Sequence, residues 1–153
     1  MAKSIKFDEG FKEYDINGDP NRIIKVDTAD YGLIERFEEA DKRIKKQLDK
    51  YKGIKIKSDG SAEMSDKEAC RAIAELSKTI KEAINYIFDY DVSPVVFGNR
   101  SPLSTRKGVP LFERFMNAIM PIIKADIEAE AKESNKRIQK YSAQAAKYKR
   151  GKK

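Results

Sequence analysis

The stretch that decides the fold is Val92–Ile123, VSPVVFGNRSPLSTRKGVPLFERFMNAIMPII. It holds Pro94, Pro102, Pro110 and Pro121, four of the five prolines, and Gly98 and Gly108, two of the eight glycines. Val95, Val96 and Phe97 form an apolar plug between Pro94 and Gly98, and Asn99-Arg100-Ser101-Pro102 is a turn beside which Leu103 can tuck inward. Pro110 suits the first turn of a helix. That helix carries Leu111, Phe112, Phe115, Ile119, Met120, Ile122 and Ile123, and should be the most buried of the chain. Pro121 lies inside it and must kink or break it, because its ring removes a backbone donor and crowds the preceding turn. A phosphate-binding loop does not fit: the Walker spacing ends in Gly-Lys-Ser/Thr, and here Val109 follows Gly108.

N-terminal to this stretch, Ser65-Asp66-Lys67-Glu68 is a capping box that opens a helix. Its apolar stripe runs through Ala69, Ala72, Ile73, Leu76, Ile80, Ala83, Ile84, Ile87 and Phe88 to a stop near Tyr90, ahead of Ser93-Pro94. An earlier amphipathic helix spans about 29–52, with Ile34, Phe37, Ala40, Ile44, Leu48 and Tyr51 on one face, Asp27 or Thr28 as cap and Gly53 as stop. The connector 53–64 contains an Asp59-Gly60 turn, and Ile54 and Ile56 suit a short strand. Two such helices pack antiparallel.

At the start, residues 3–7 and 11–16 show strand-like alternation, with Tyr14 and Ile16 on one face. Asn17-Gly18 signals a hairpin, and 22–26 reads as the return strand. Asp15, Asn17, Asp19 and Asn21 imitate half of a calcium loop, but Pro20 stands where glycine is needed and Val26 where a bidentate glutamate is needed.

Beyond the opening stretch, Ile127, Ala131, Ser134, Ile138, Tyr141, Ala145 and Tyr148 recur at heptad spacing. The stripe is thin, so it is either a seam for another copy or partner, or a solvated extension. The net charge of +7 belongs here. Residues 132–153 hold nine Lys/Arg against one Glu, leaving 23 basic and 24 acidic groups in the other 131 residues. Lys136, Arg137, Lys140, Lys147, Lys149 and Arg150 are the candidate polyanion contacts, with a merely solubilising end as the plainer reading. The expected organisation is one mainly α (α+β) domain over 1–124, followed by a basic helical tail over 125–153. Its order is a β-hairpin, an antiparallel helix pair, a Pro/Gly-rich loop and a third, long helix.

Catalytic chemistry is not legible. The chain has no His, the commonest general base and transition-metal ligand. Cys70 is the single cysteine, and among Glu68, Ala69, Ala72 and Ile73 it reads as a small buried or half-buried filler. No metal or cofactor motif emerges. No apolar run approaches the ~18 residues of a membrane span, and the N-terminus lacks the apolar core of a signal peptide. A soluble, cytoplasmic protein is expected.

The phrases FKEYDINGDPNRIIKVD, LIERFEEADKRIKK and INYIFDYDVSPVVFGNRSPLSTRKGVPLFERFMNAIMPII together resemble the tail assembly chaperones of long-tailed phages and prophages of Gram-positive bacteria. The resemblance covers roughly residues 7–124 and rests on the order of parts, not on invariant signatures. It implies a non-enzymatic protein of the host bacterial cytoplasm that binds a tape measure protein while tail tube subunits assemble around it. A structural role in the tail or virion is the variant of that reading. The basic tail falls outside the family pattern. A chaperone of a long helical client needs apolar surfaces that pair weakly and repeatedly. Phe97, Leu103, Phe112 and Phe115, with Ile127, Ile138, Tyr141 and Tyr148 of the stripe, are the candidates, although burial in a core is the commoner fate of such phenylalanines.

Overall fold

A computed structural model describes residues 1–50 and 66–151. The chain is mainly α with a little β: strands β1 (Phe11–Ile16) and β2 (Asp19–Asp27), helices α1 (Gly32–Lys50), α2 (Asp66–Phe88) and α3 (Ser93–Phe97), strands β3 (Thr105–Arg106) and β4 (Val109–Pro110), and helix α4 (Leu111–Gly151). The expected architecture of hairpin, antiparallel helix pair and long C-terminal helix is present. The capping serine at 65, the connector 53–64, Tyr51 and the stop at Gly53 lie outside the described residues.

The hairpin forms where the turn chemistry demands it. Asn17 and Gly18 both take positive φ, 54° and 79°, which matches the right-handed twist of the flanking strands. The Asp15 carboxylate accepts the Gly18 N–H (2.8 Å) and the Asp19 carboxylate accepts the Asn21 N–H (2.9 Å), so both acids of the would-be calcium loop tie down the turn. The return strand is longer than its apolar run. It pairs with β1 from Asp27 opposite Phe11 to Ile23 opposite Asp15, then jumps to Asp19 opposite Ile16. Three residues, 20–22, are therefore extra on β2, and Pro20, with no N–H, fits there because it cannot join the ladder. Residues 3–7 form no strand. Among the described residues no strand pairs with them, and Ile5 and Phe7 are exposed.

Helix α1 begins at Gly32, three residues later than its periodicity suggests. The cause is local: the Asp30 carboxylate accepts the Gly32 N–H at 2.9 Å, and the Asp30 carbonyl accepts the Leu33 N–H, which makes Asp30 the capping residue. Helix α2 stops at Phe88, two residues short of Tyr90, because Asp89 takes positive φ (61°) and turns the chain out of the helix. Arg36 then caps α2 from α1. Its Nε donates to the Ile87 carbonyl (2.9 Å) and its Nη2 to Asp30 (2.5 Å), satisfying a carbonyl that has no intrahelical donor. The pair is antiparallel: the start of α1 meets the end of α2, with Phe37 and Phe88 edge to face at 6.2 Å.

The hydrogen bond to Arg36 is the main cause that holds the Asp30 carboxyl below its ordinary pKa; the Gly32 amide adds to it and burial opposes it. A carboxyl lowered on folding contributes stability that is present above the ordinary value of about 3.9 and lost as pH falls through the lowered one. Asp30→Asn is therefore expected to flatten the acid limb of the stability–pH curve at and below that value. Denaturant midpoints measured from pH 6 downward check this; an unchanged slope would count against the ion pair.

The plug Val95–Phe97 is the single turn α3, not a loop. Arg22 from the irregular part of β2 supports it, donating Nε to the Val95 carbonyl (2.8 Å) and Nη2 to the Val96 carbonyl (2.6 Å). Pro110 sits in β4 and not in the helix. Lys107 and Gly108, at φ 53° and 79°, make a second tight turn between β3 and β4, which takes up the residues read as a helix lead-in. The first donors of α4 find loop carbonyls: Leu111 N–H meets Ser104 O at 2.8 Å and Phe112 N–H meets Pro102 O at 3.0 Å.

The core draws on every layer. Ile24 and Val26 of β2, Leu33, Phe37, Ala40 and Ile44 of α1, Leu76 to Phe88 of α2, Val96 and Phe97 of α3, and Phe112, Ile119, Ile123 and Ile127 of α4 form one buried cluster. Helix α2 supplies more of it than α4, whose Ile122 is exposed; one face of a surface helix meets the core while the rest meets water. Cys70 is exposed, not a filler, because it falls on the outer side of α2 beside buried Ala69.

Helix α4 runs through Pro121 without a break. Pro121 is on the outer face, and so is Asn117, whose carbonyl would have taken the missing N–H. An interior proline still costs a helix roughly 3 kcal/mol relative to alanine, part of which is offset by its stiffening of the unfolded chain. Pro121→Ala is thus expected to stabilise the protein by about 1–2 kcal/mol. A thermal melt that is unchanged or lower would contradict this account.

Candidate interaction surface

The surface follows from how α4 is anchored and where its anchoring ends. Asp126 is gripped from β1: Lys12 Nζ lies 3.0 Å from its Oδ1, and the Tyr14 hydroxyl donates to Oδ2. Lys12, Tyr14 and Ile16 share a strand face by the two-residue alternation, so the hairpin presents a cation and a phenol side by side to the helix. Ile127 inserts into the core in the next position. The packed body therefore reaches past residue 124. Ala131 and Ser134 are half-buried, and from there outward the helix leaves the body.

One stripe runs through both halves of α4. Phe112, Ile119, Ile123 and Ile127 pack on the body, and the same register continues through Ile138, Tyr141 and Ala145, now in solvent. Ile138 is 62% exposed and Tyr141 75% exposed. The basic residues Lys136, Arg137, Lys140 and Lys147 are all exposed around it, with Lys136 3.5 Å from Glu133. The side chains of Tyr148, Lys149 and Arg150 lie outside the described residues.

The other expected contacts are differently placed. Phe97, Phe112 and Ile127 are buried in the core and present nothing to a partner. Leu103 and Phe115 are half-buried against the same cluster, Phe115 with its ring 6.2 Å from Phe88. Apolar side chains near proline and glycine look the same in sequence whether they cover a core or face outward; only packing separates them.

Two grooves flank the body half of α4. One, of about 400 Å³, lies between the hairpin, α3 and α4, with Tyr14, Ile16, Val96 and Phe115 in its walls. Arg114 borders it, donating Nη2 to Ser104 O (3.1 Å) while its Nε is buried without a hydrogen-bond partner among the described residues. The other, of about 470 Å³, lies between α1 and α4. Its floor is Phe37, Ile44, Phe112, Met116 and Met120, and Glu38, Asp41 and Glu113 stand along it. Neither is visible in the sequence, since each joins residues some 70 to 100 positions apart; the i, i+3, i+7 positions Glu38, Asp41 and Lys45 beside the α1 stripe are the available signal.

Among the described residues no group of three or more His, Cys, Asp or Glu side chains is placed to hold a metal ion, and no helix is long and apolar enough to cross a membrane. Compared with protein-family models, curated proteins and solved structures, the chain finds no match.

Proposed function

We propose that this protein is a non-enzymatic assembly chaperone or adaptor of phage tail assembly, which engages a long helical partner of tape-measure type through the outer half of α4. The observation that carries the reading is the continuation of the core stripe into solvent at Ile138 and Tyr141. A helix that keeps its apolar register after leaving its own body offers a ready seam for a second helix. The sparse anchors, two large side chains among Ala and Ser, suit weak and reversible pairing, which a chaperone released from the finished particle requires. The resemblance of residues 7–124 to tail assembly chaperones supplies the name of the partner.

The test is a pull-down from infected or prophage-induced cells, using the full chain and a chain truncated after Ser134. Cutting there spares Asp126 and Ile127, which the body needs. Recovery of a tape measure or tail tube protein by the full chain alone supports the reading. Recovery by both chains equally would move the contact to the body, and recovery of nucleic acid alone would sink it. The gene neighbourhood offers a quick check, since a tail chaperone should precede a very long gene.

A second reading has its own observation: nine Lys/Arg in residues 132–153. A polyanion-binding arm predicts affinity for nucleic acid that falls steeply with salt and disappears on the same truncation.

A further inference from the structure

Two separated surfaces are opposite in charge and similar in length. The arm beyond Ser134 carries Ile138 and Tyr141 with Arg137 and Lys140 beside them, all exposed. The groove between α1 and α4 has a buried floor of Phe37, Ile44 and Phe112, half-buried Met116 and Met120, and the carboxylates of Glu38, Asp41 and Glu113 along its sides. Lys45 also borders it and pairs with Asp41 at 2.8 Å, which leaves the groove net acidic. A methionine-lined groove adapts readily to a helix laid into it. The lengths agree as well: Glu38 to Leu48 rises about 15 Å and Ser134 to Ala145 about 16 Å at the helical 1.5 Å per residue.

We propose that the basic arm of one molecule docks in the acidic α1–α4 groove of a second copy. The arm cannot fill its own groove. Both belong to the same unbroken helix, and Ile138 lies about 33 Å beyond Met116 along it. Each molecule therefore offers a groove to one neighbour and an arm to another. Such a contact is head-to-tail, and it extends until geometry closes a ring or leaves an open chain. The opposite charge signs make it weaken with salt. An arm-to-arm pairing would instead set two strongly basic ends in one seam. The contact needs no client, and its test contains only this protein.

Two variants decide it, each altering exposed positions so that the fold, checked by circular dichroism and melting, is retained. Ile138→Asp/Tyr141→Asp disables the arm, and Glu38→Lys/Leu48→Lys/Glu113→Lys disables the groove. In sedimentation from micromolar to millimolar at low salt, the wild type should grow past the dimer with concentration. Each variant alone should associate at least roughly tenfold more weakly. Their mixture should give a 1:1 pair and stop, since one retains an arm and the other a groove. The proposal is overturned if the wild type stays monomeric throughout, if the groove variant assembles as the wild type does, or if the mixture stays monomeric.

Discussion

Phe37→Ala is expected to be the most damaging single change in the chain. Phe37 is fully buried, sits edge to face against Phe88, and lies in the contact where α1, α2 and α4 meet. Truncating a buried phenylalanine removes its transfer free energy and leaves a cavity that neighbours on three rigid helices cannot fill, together about 3–5 kcal/mol. The edge-to-face contact accounts for a further part of order 1 kcal/mol. Against a typical total of about 5–15 kcal/mol, that is a large fraction. Thermal denaturation should show a midpoint lower by roughly 10 °C or more. A shift of only a few degrees would mean that the three-helix contact is not the centre of the core. Phe37→Leu, which keeps most of the volume, should recover much of the loss.

The second large effect is expected from Asn85→Ala, through polar atoms and not volume. The Asn85 side chain organises the turn from α2 into α3. Its Oδ1 accepts the Val92 N–H (2.9 Å) and the Ser93 N–H (3.0 Å), and its Nδ2 donates to Asp91 (2.9 Å). The Ser93 hydroxyl, with one proton to give, lies 2.8 Å from Asn85 Oδ1 and 3.1 Å from the Lys81 carbonyl. Val92 and Ser93 are themselves buried. Alanine would strand the Ser93 amide; the Val92 amide would keep only the Tyr90 carbonyl at 3.0 Å. Leaving buried donors unpaired costs about 1–3 kcal/mol each, so a loss near 3 kcal/mol is expected. Asn85→Asp tests the mechanism at the same size. It keeps the acceptor for both amides but sets a carboxylate against Asp91, so its melting point should fall between wild type and alanine. A neutral alanine variant would show that the turn is held by the apolar contacts of Val92, Val96 and Phe97 alone.

How far the residues reveal the fold depends on whether the deciding interaction is local. Asn17-Gly18 was legible because few residue pairs accept two successive positive φ values at low cost. Lys107-Gly108 takes the same conformation, but lysine gives no such signal, so the β3–β4 turn is hidden in the sequence and Pro110 resembles a helix start. The core stripes of α1 and α2 were legible from their period, and nearly every expected position from Phe37 to Phe88 within the described residues is inward. Helix ends were less so. Asp30 sets the start of α1 by using its own carboxylate, and Asp89 ends α2 by taking a positive φ of 61°.

The candidate surface divides along the same line. The heptad register of Ile127–Tyr148 and the concentration of charge after residue 132 are properties of the sequence, since helical spacing and ionisation need no neighbours. Their meaning came from the tertiary structure. Only the grip of Lys12 and Tyr14 on Asp126, and the burial of Ile127, show where the stripe stops serving the body. Burial is the commoner fate of phenylalanines such as Phe97, Phe112 and Phe115, and packing places them in or against the core. The acidic groove exists only because α1 and α4 are brought together across some 70 residues of chain, so that Glu38 and Asp41 come to stand near Glu113. Periodicity determines which residues share a face of one helix; which face meets water, and which charges become neighbours, is decided by the closing of the chain on itself.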